Sequence, residues 1–209
     1  MTYLLYRTLT SLAAPLAPVL LRRRARRGKE DPARLRERLG HAGRPRPEGT
    51  LVWVHAVSVG EALSTLALIV RLTRLDPRLR VLVTTGTVTS ARLMAERLPD
   101  RAFHQFAPLD TPAAVRRFLD HWQPTMALWV ESEIWPNLIE GIGRRRIPAV
   151  LVNARMSERS HLRWRRQRRL AGRLLSRFRA ILPWDAEHGR RFAALGAAAI
   201  GPAGNLKFA

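Results

Sequence analysis

The sequence predicts an α/β fold: a Rossmann-like parallel sheet from about residue 50 onward, preceded by an apolar helix. Two observations support this prediction. Short apolar runs rich in β-branched residues alternate with helix-compatible segments of about 10–15 residues, which is the pattern of right-handed βαβ units. The chain has 209 residues, of which 46% are hydrophobic, so it is able to bury a core and is not a disordered protein.

The first element is an apolar segment, residues 3–21, which a run of arginines follows directly. A membrane-spanning helix needs about 20 predominantly apolar residues, whereas Arg7 interrupts this segment and Pro15 and Pro18 are expected to break the helix. A cleaved signal peptide carries its positive charge before the apolar stretch, not after it. We therefore expect residues 1–27 to be a membrane-associated segment whose arginines face the anionic lipids of a cytoplasmic leaflet. A helix packed on the domain and a single span are the alternatives.

Residues 28–49 are expected to connect this segment to the main domain, residues 50–209. Helices are predicted between the apolar runs of the domain, the first from Glu61 to about Leu75 and the second over residues 88–98. The runs themselves predict strands over residues 51–57, 80–85, 103–107, 126–131, 148–152 and 179–182.

Polar segments follow several of these strands, at the point where each strand ends. Ligands of open parallel sheets bind at the carboxyl ends of the strands, which meet at one edge of the sheet. The sequence therefore predicts a site at this edge. Its segments are Ser58–Glu61, Thr84–Thr87, Glu131–Glu133 and Asn153–Arg155.

Two carboxylates at this edge are candidates for chemistry. Glu61 follows Gly60 where a helix begins, so it is either a first-turn acid favoured by the helix dipole or a general base. Gly60 leaves room for a substrate to approach the backbone, and free amides of the first helical turn could bind phosphate. Glu131 either pairs with an arginine or faces the same cleft as Glu61 and shapes its charge.

Several other kinds of site are not supported by the sequence. The run from Ala56 to Gly60 resembles the nucleophile elbow of α/β-hydrolases, but no suitably placed histidine and no HGGG-type loop accompany it. The GxGxxG, Walker and HExxH motifs are missing. The six histidines lack metal-ligand spacing and the chain has no cysteine, so we expect neither a metal site nor a cofactor.

The charge of the chain requires an anionic partner. It carries 37 basic and 16 acidic side chains, a net charge of +21, and all the basic residues except Lys29 and Lys207 are arginine. An anionic membrane surface would satisfy this charge, and so would nucleic acid. The apolar N-terminus and the missing nucleic-acid-binding motifs argue against a specific nucleic-acid module, which stays an alternative.

Six motifs in order resemble the N-terminal half of the 3-deoxy-D-manno-octulosonic acid (Kdo) transferases. The LRERLG stretch at residues 35–40 also fits this family. The resemblance covers nearly the whole chain, and the motifs are WVHAVSVGE (53–61), TTGTVTSA (84–91), FAPLDTPAAVRRFL (106–119), WVESEIWPNLI (129–139), IPAVLVNARMSERS (147–160) and GNLKF (204–208).

The resemblance implies the N-terminal domain of a GT-B glycosyltransferase at the cytoplasmic face of the inner membrane. In this family the N-terminal domain takes the lipid A precursor and the C-terminal domain binds CMP-Kdo. The family transfers Kdo with inversion and without a metal, in lipopolysaccharide biosynthesis. We expect the C-terminal donor-binding domain to be absent here, so that the chain is half of an enzyme or a non-catalytic remnant that binds lipid A.

The resemblance also implies roles for individual residues. Glu61, in the SxGE motif, corresponds to the general base of the family. Glu131 and Lys207 correspond to the residues that stabilise the transition state. Among the strand-end residues, those expected to bind the acceptor are Ser58, Gly60, Thr85, Thr87, Asn153 and Arg155.

Overall fold

The computed structural model describes residues 2–131 and 134–204. In this part of the chain the strands form one six-stranded sheet, and every neighbouring pair in it is parallel. The strands are β1 (Leu51–His55), β2 (Arg80–Thr85), β3 (Ala102–Phe106), β4 (Met126–Val130), β5 (Ala149–Ala154) and β6 (Ala180–Pro183). Their order in the sheet is β3-β2-β1-β4-β5-β6, so the predicted Rossmann-like α/β fold is confirmed.

Helices fill the connections between the strands, as βαβ units require. Hydroxyl side chains begin several of them: Ser58, Thr87 and Thr111 each accept a hydrogen bond from the backbone amide three residues further on, which supplies a partner for a free first-turn N–H group. The α-helices are α1 (Tyr3–Ala13), α2 (Ala17–Ala25), α3 (Leu35–Arg38), α4 (Val59–Leu75), α5 (Val88–Arg97), α6 (Pro112–Trp122), α7 (Pro136–Arg144), α8 (Glu158–Arg165), α9 (Arg168–Leu175) and α10 (Ala186–Ala194).

Apolar layers cover both faces of the sheet. All five residues of β1 are buried, because successive side chains of a strand point to opposite faces. Trp53 belongs to a layer that contains the aromatic side chains of Phe118, Trp122 and Trp129. Its neighbours Val52 and Val54 belong to a second layer with aliphatic side chains such as Ile69 and Met94.

The two prolines interrupt the α-helix locally, but the helical run continues past them to Ala25. A 3₁₀ turn over Ala14–Leu16 joins α1 to α2, and Pro15 and Pro18 stand in the first positions of the segments that follow. Proline is tolerated there because its missing N–H would find no intrahelical partner in any case. By length and composition alone, the combined helix Tyr3–Ala25 could cross a membrane, since an 18-residue stretch of it has a mean hydropathy of 1.4.

This helix has one face on the domain and one face in solvent. Tyr3, Ala17 and Leu21 are buried, and the Tyr6 hydroxyl donates a hydrogen bond to Asp110 Oδ2 at 2.8 Å. The opposite face exposes apolar side chains over the whole length of the helix. These are Leu4, Leu5, Leu9, Leu12, Leu16, Val19 and Leu20, which we call the leucine stripe.

The segment that connects this helix to the sheet packs against β3 and α6. The Glu37 carboxylate accepts a hydrogen bond from the Phe106 amide at 2.7 Å, and the Leu109 amide donates to the Arg38 carbonyl at 2.7 Å. Gly40 has a φ of 86°, and an added Cβ would lie 2.0 Å from the carbonyl oxygen of Ala114. Only glycine therefore fits at this contact.

Candidate functional site

The order of the strands locates the edge at which a site is expected. From β1 the chain moves outward to β2 and β3 on one side and then crosses to β4, β5 and β6 on the other. The loops after β1 and β4 therefore run in opposite directions and leave a crevice between them, which is where ligands bind in sheets of this order. Glu61 comes after β1 and Glu131 after β4, so these two predicted residues flank the crevice.

The Glu61 carboxylate helps to begin helix α4. Its Oε2 accepts a hydrogen bond from the Val57 amide at 2.8 Å, while the Ser58 hydroxyl accepts one from the Glu61 amide at 3.3 Å. This reciprocal arrangement resembles a capping box. Glu61 is 7% exposed, so its carboxylate is held at the start of the helix with little contact with solvent.

Gly60 and Gly86 lie near this carboxylate in different surroundings. Gly60 is exposed, and an added Cβ would meet no heavy atom within 4 Å. At Gly86 the Cβ would lie 3.1 Å from Val57 Cγ1, and the Gly86 amide donates to the Val57 carbonyl at 3.0 Å. The loop after β2 therefore packs tightly on the loop after β1, while Gly60 faces open space.

The two threonines predicted after β2 differ in exposure. Thr85 is fully buried, and its Oγ1 lies 2.9 Å from His104 Nε2 and 2.8 Å from Ser90 Oγ. Thr87 is exposed and caps helix α5 through the Ser90 amide. Of the two hydroxyl groups, that of Thr87 therefore lies at the surface.

The ends of β4 and β5 carry backbone strain. Glu131 has a φ of 60° and Asn153 a φ of 53°, a left-handed conformation that is uncommon for residues other than glycine. Asn153 is buried, whereas Arg155, two residues further on, is exposed with its guanidinium 4.5 Å from the centre of the Trp184 ring. Strain of this kind is concentrated at functional sites.

Two of the predicted segments extend beyond the described part of the chain. Lys207, expected to stabilise the transition state, lies outside the described residues, and so do Ser132 and Glu133. Among residues 2–131 and 134–204, no group of three or more histidine, aspartate or glutamate side chains is placed to hold a metal ion.

His55, at the end of β1, is a buried polar residue whose role the sequence does not predict. The indole N–H of Trp53 donates to Thr84 Oγ1 at 2.8 Å, and the same Oγ1 shares a hydrogen bond with His55 Nδ1, also at 2.8 Å. The other ring nitrogen of His55, Nε2, has no hydrogen-bond partner among the described residues. Burial lowers the pKa of His55 to about 3, so the ring is neutral near pH 7.

Asp110, between β3 and α6, is a second polar group that the sequence analysis misses. Its Oδ1 accepts a hydrogen bond from the Leu138 amide at 2.8 Å, and its Oδ2 accepts one from the Asn137 amide at 3.1 Å. Burial raises the pKa of Asp110 to about 6, against the opposing effect of these hydrogen bonds and of Tyr6. The signal in the sequence is an aspartate followed by Thr-Pro, which was assigned only to the family motif.

A basic groove of about 350 Å³ lies beside the N-terminal helix. Helices α1, α6 and α7 form it, and its lining includes Arg7, Arg116, Arg144 and Arg145. Arg145 pairs with Asp120, and the guanidinium of Arg144 lies 5.8 Å from the centre of the Tyr3 ring. The groove therefore places positively charged side chains beside the helix that carries the leucine stripe.

Comparisons with known proteins agree on one family. Residues 33–209 match the sequence model of the family described as 3-Deoxy-D-manno-octulosonic-acid transferase (kdotransferase). The chain is 42% identical to the probable mitochondrial 3-deoxy-D-manno-octulosonic acid transferase of Arabidopsis thaliana, over 99% of this chain and 47% of that protein. It is 35% identical to the corresponding transferase of Haemophilus influenzae, over 84% of this chain and 42% of that protein. The chain thus spans less than half the length of these relatives.

A likeness to a solved structure concerns the fold alone. A UDP-GlcNAc 2-epimerase from Neisseria meningitidis, in a crystal structure with UDP-GlcNAc bound, superposes with a TM-score of 0.54 at 12% identity. The match covers 76% of this chain and 47% of the epimerase chain.

Proposed function

Since the chain belongs to the Kdo transferase family, as its motifs predict, we propose that it is the acceptor-binding, base-bearing half of a metal-independent, inverting Kdo transferase. The reaction is transfer of Kdo from CMP-Kdo to a hydroxyl of a lipid A precursor, a step of lipopolysaccharide biosynthesis. The observation that carries the proposal is the position of Glu61 and Glu131 on the two sides of the crevice between β1 and β4.

In this proposal Glu61 is the general base. Its carboxylate takes the proton of the acceptor hydroxyl while the hydroxyl oxygen attacks the anomeric carbon of Kdo. The bond from that carbon to the phosphate oxygen of CMP breaks, and CMP leaves with the electron pair. The hydrogen bond from the Val57 amide fixes the orientation of the Glu61 carboxylate, and a base held in one orientation transfers protons more effectively.

Glu131 and Lys207 stabilise charge in the proposed reaction. The anomeric carbon gains positive charge as the bond to CMP breaks, and the carboxylate of Glu131 opposes that charge. The ammonium group of Lys207 interacts with the negative charge that develops on the departing phosphate. The strained backbone at Glu131 supports its assignment, since a non-glycine residue with a φ of 60° costs free energy that the fold must supply elsewhere.

The acceptor surface of the proposal combines exposed and buried residues. Ser58, Gly60, Thr87 and Arg155 are exposed at the edge of the sheet, so they contact the acceptor sugar and its phosphates. Thr85 and Asn153 are buried there, so they shape this surface from beneath.

We place the protein on the cytoplasmic face of the inner membrane, with its N-terminal helix lying in the anionic surface. Polar contacts of Tyr6 and Thr10 hold one face of this helix against the domain, while the leucine stripe faces outward. A helix with one polar, docked face and one apolar face suits the interface more than the membrane interior. The arginines of the basic groove then lie close to the lipid phosphates.

The substitution Glu61→Gln tests the base. Because the chain spans less than half of its relatives, the assay uses the chain joined after Phe208 to the C-terminal half of the H. influenzae transferase. Gln keeps the acceptor oxygen for the Val57 amide but does not take up the proton of the acceptor hydroxyl. We expect transfer to fall by roughly 10²–10⁴-fold, with lipid A binding unchanged and a stability loss of no more than about 1 kcal/mol.

Glu158→Gln is the matched control, because Glu158 is a first-turn glutamate of another helix, α8. It should leave transfer at the parental rate. Parental transfer by Glu61→Gln would contradict the base assignment. A fusion that binds lipid A but shows no transfer before any substitution would favour the non-catalytic remnant.

A further inference from the structure

The N-terminal helix is hydrogen-bonded to the residues that begin helix α7. The Tyr6 hydroxyl donates to Asp110 Oδ2 at 2.8 Å, and Asn137 Nδ2 donates to Thr10 Oγ1 at 3.0 Å. Asn137 Nδ2 also donates to the Asp110 carbonyl at 2.6 Å. Residues more than a hundred positions apart in the sequence are thereby tied together.

Asp110 caps α7 from a distant part of the chain. Trp135, which directly precedes this helix, provides no side-chain hydrogen bond to its amides. The two carboxylate oxygens of Asp110 instead accept from the Asn137 and Leu138 amides. The free N–H groups of a buried helix start need such a partner, so the position of Asp110 determines where α7 begins.

The start of α7 lies close to Glu131 along the chain. Strand β4 ends at Val130 and α7 begins at Pro136, so Glu131, with its strained φ of 60°, stands between two fixed elements. A strained residue persists only where the surrounding structure holds it. On one side of Glu131 that structure is β4, and on the other it is the start of α7 with its contacts to Asp110 and Asn137.

From these contacts we infer that the N-terminal helix is a part of the site and not only an anchor. Tyr6 and Thr10 act as positioning residues: through Asp110 and Asn137 they fix the start of α7, which begins five residues after Glu131. The effect of this positioning on Kdo transfer rests on the function proposed above, whereas the coupling between the N-terminal helix and the start of α7 does not. Undocking of the helix from the domain would displace the start of α7 and slow transfer even where lipid binding is intact.

Hydrogen exchange on the chain itself tests the coupling directly. Tyr6→Phe removes only the hydroxyl that reaches Asp110. Thr10→Val removes the hydroxyl that accepts from Asn137 and that also donates to the Tyr6 carbonyl within the helix. We expect the amides of Asn137 and Leu138 to exchange roughly tenfold faster in each variant, since loss of a hydrogen bond to a buried polar group favours local opening by about that factor. Amides of β1 serve as a reference and should exchange at the parental rate.

Tyr3→Phe is the matched control. Tyr3 lies on the same helix and is buried, but its hydroxyl makes no hydrogen bond to the described residues, so the exchange of α7 should not change. Parental exchange of Asn137 and Leu138 in both Tyr6→Phe and Thr10→Val would overturn the inference. Equal acceleration by Tyr3→Phe would also overturn it, because general loosening of the helix would then explain the effect.

A kinetic measurement separates positioning from lipid binding. In the fusion with the C-terminal half of a relative, Tyr6→Phe should lower kcat by roughly tenfold and leave the KM for the lipid acceptor unchanged. A raised KM at constant kcat would overturn the positioning role. If the parental fusion transfers no Kdo, the proposed function fails while the exchange experiment still decides the coupling.

Discussion

Glu131 and Asn153 each have a positive φ, a backbone conformation that glycine adopts with less strain. Their φ values of 60° and 53° lie at the ends of neighbouring strands, where the costs are on the order of 1 kcal/mol each. Glycine would remove this cost at either position, but it would also remove the side chain. If both residues belong to the proposed site, their side chains are held there at the expense of stability, which is a common relation between a site and the fold that carries it.

His55 is expected to make the fold sensitive to acid. The pKa of this histidine is about 3 in the folded protein and about 6.5 in an unfolded chain. Between these values the unfolded chain takes up a proton that the folded one does not, so the free energy of unfolding falls as the pH falls. For this single group we expect a loss on the order of 1 kcal/mol per pH unit below about pH 6.

Urea unfolding of the parent and of His55→Gln, repeated from pH 8 to pH 4.5, measures this contribution. The stability of the parent should decline more steeply below pH 6.5, and above pH 7.5 the difference between the two proteins should be constant. Parallel curves over the whole range would contradict the buried neutral histidine.

Asp110 acts in the opposite direction, because its pKa is raised to about 6 in the folded protein. Its protonation therefore stabilises the fold as the pH falls through that value.

At the scale of elements, the N-terminal helix combines two unlike faces. One face contributes Tyr3 and Leu21 to the buried interior and hydroxyl groups to the network around Asp110. The other face is the leucine stripe, which the domain leaves uncovered. An apolar face of this length is typical of a helix that lies in a membrane interface.

The leucine stripe predicts binding to anionic vesicles. Leu12→Asn should weaken binding to vesicles of phosphatidylglycerol and phosphatidylcholine by roughly tenfold, because a leucine side chain loses its transfer from water to the lipid. Leu75→Asn is the matched control, since Leu75 at the end of α4 is 72% exposed and Leu12 is 73% exposed. Vesicle flotation measures both variants, and equal binding by all three proteins would exclude the stripe as the membrane contact.

The elements were largely predictable because their signals are local. Apolar runs with β-branched residues located every strand to within a few residues, and the predicted starts of α4 and α5 lie within two residues of the observed ones. The prolines interrupt the α-helix without ending the helical run, because Pro15 and Pro18 stand in the first positions of the segments that follow, where proline is tolerated. Strand β1 also ended early, at His55, because the next residues turn to form the cap with Glu61.

At the scale of the whole molecule, the net charge of +21 predicts that DNA binding and lipid A binding differ in their dependence on salt. Binding to double-stranded DNA should fall by roughly 10³-fold or more between about 50 and 200 mM salt, since it releases counterions for every phosphate contacted. Binding to lipid A vesicles should fall far less, because salt does not weaken the burial of acyl chains and leucines. Titrations of both ligands at the two salt concentrations make the comparison, and DNA binding that remains tighter than lipid binding at 200 mM would exclude the acceptor role.

The candidate site could be predicted only in part. The edge that carries Glu61 and Glu131 was predictable because parallel strands bring their carboxyl ends together, a rule that needs no coordinates. The tie between Tyr6 and Asp110 could not be predicted, since it joins residues 104 positions apart and no periodic pattern encodes it. The same is true of the Trp53–Thr84–His55 chain, which depends on the register of β1 against β2.

The distance in sequence between the N-terminal helix and its docking partners has a consequence for biosynthesis. Thr10 leaves the ribosome 127 residues before Asn137, which at 5–20 residues per second is on the order of ten seconds. During that interval the helix is complete, but the domain surface that receives its polar face does not yet exist. In the proposed membrane location, the leucine stripe would therefore be available to the lipid surface before the domain that receives the other face of the helix has formed.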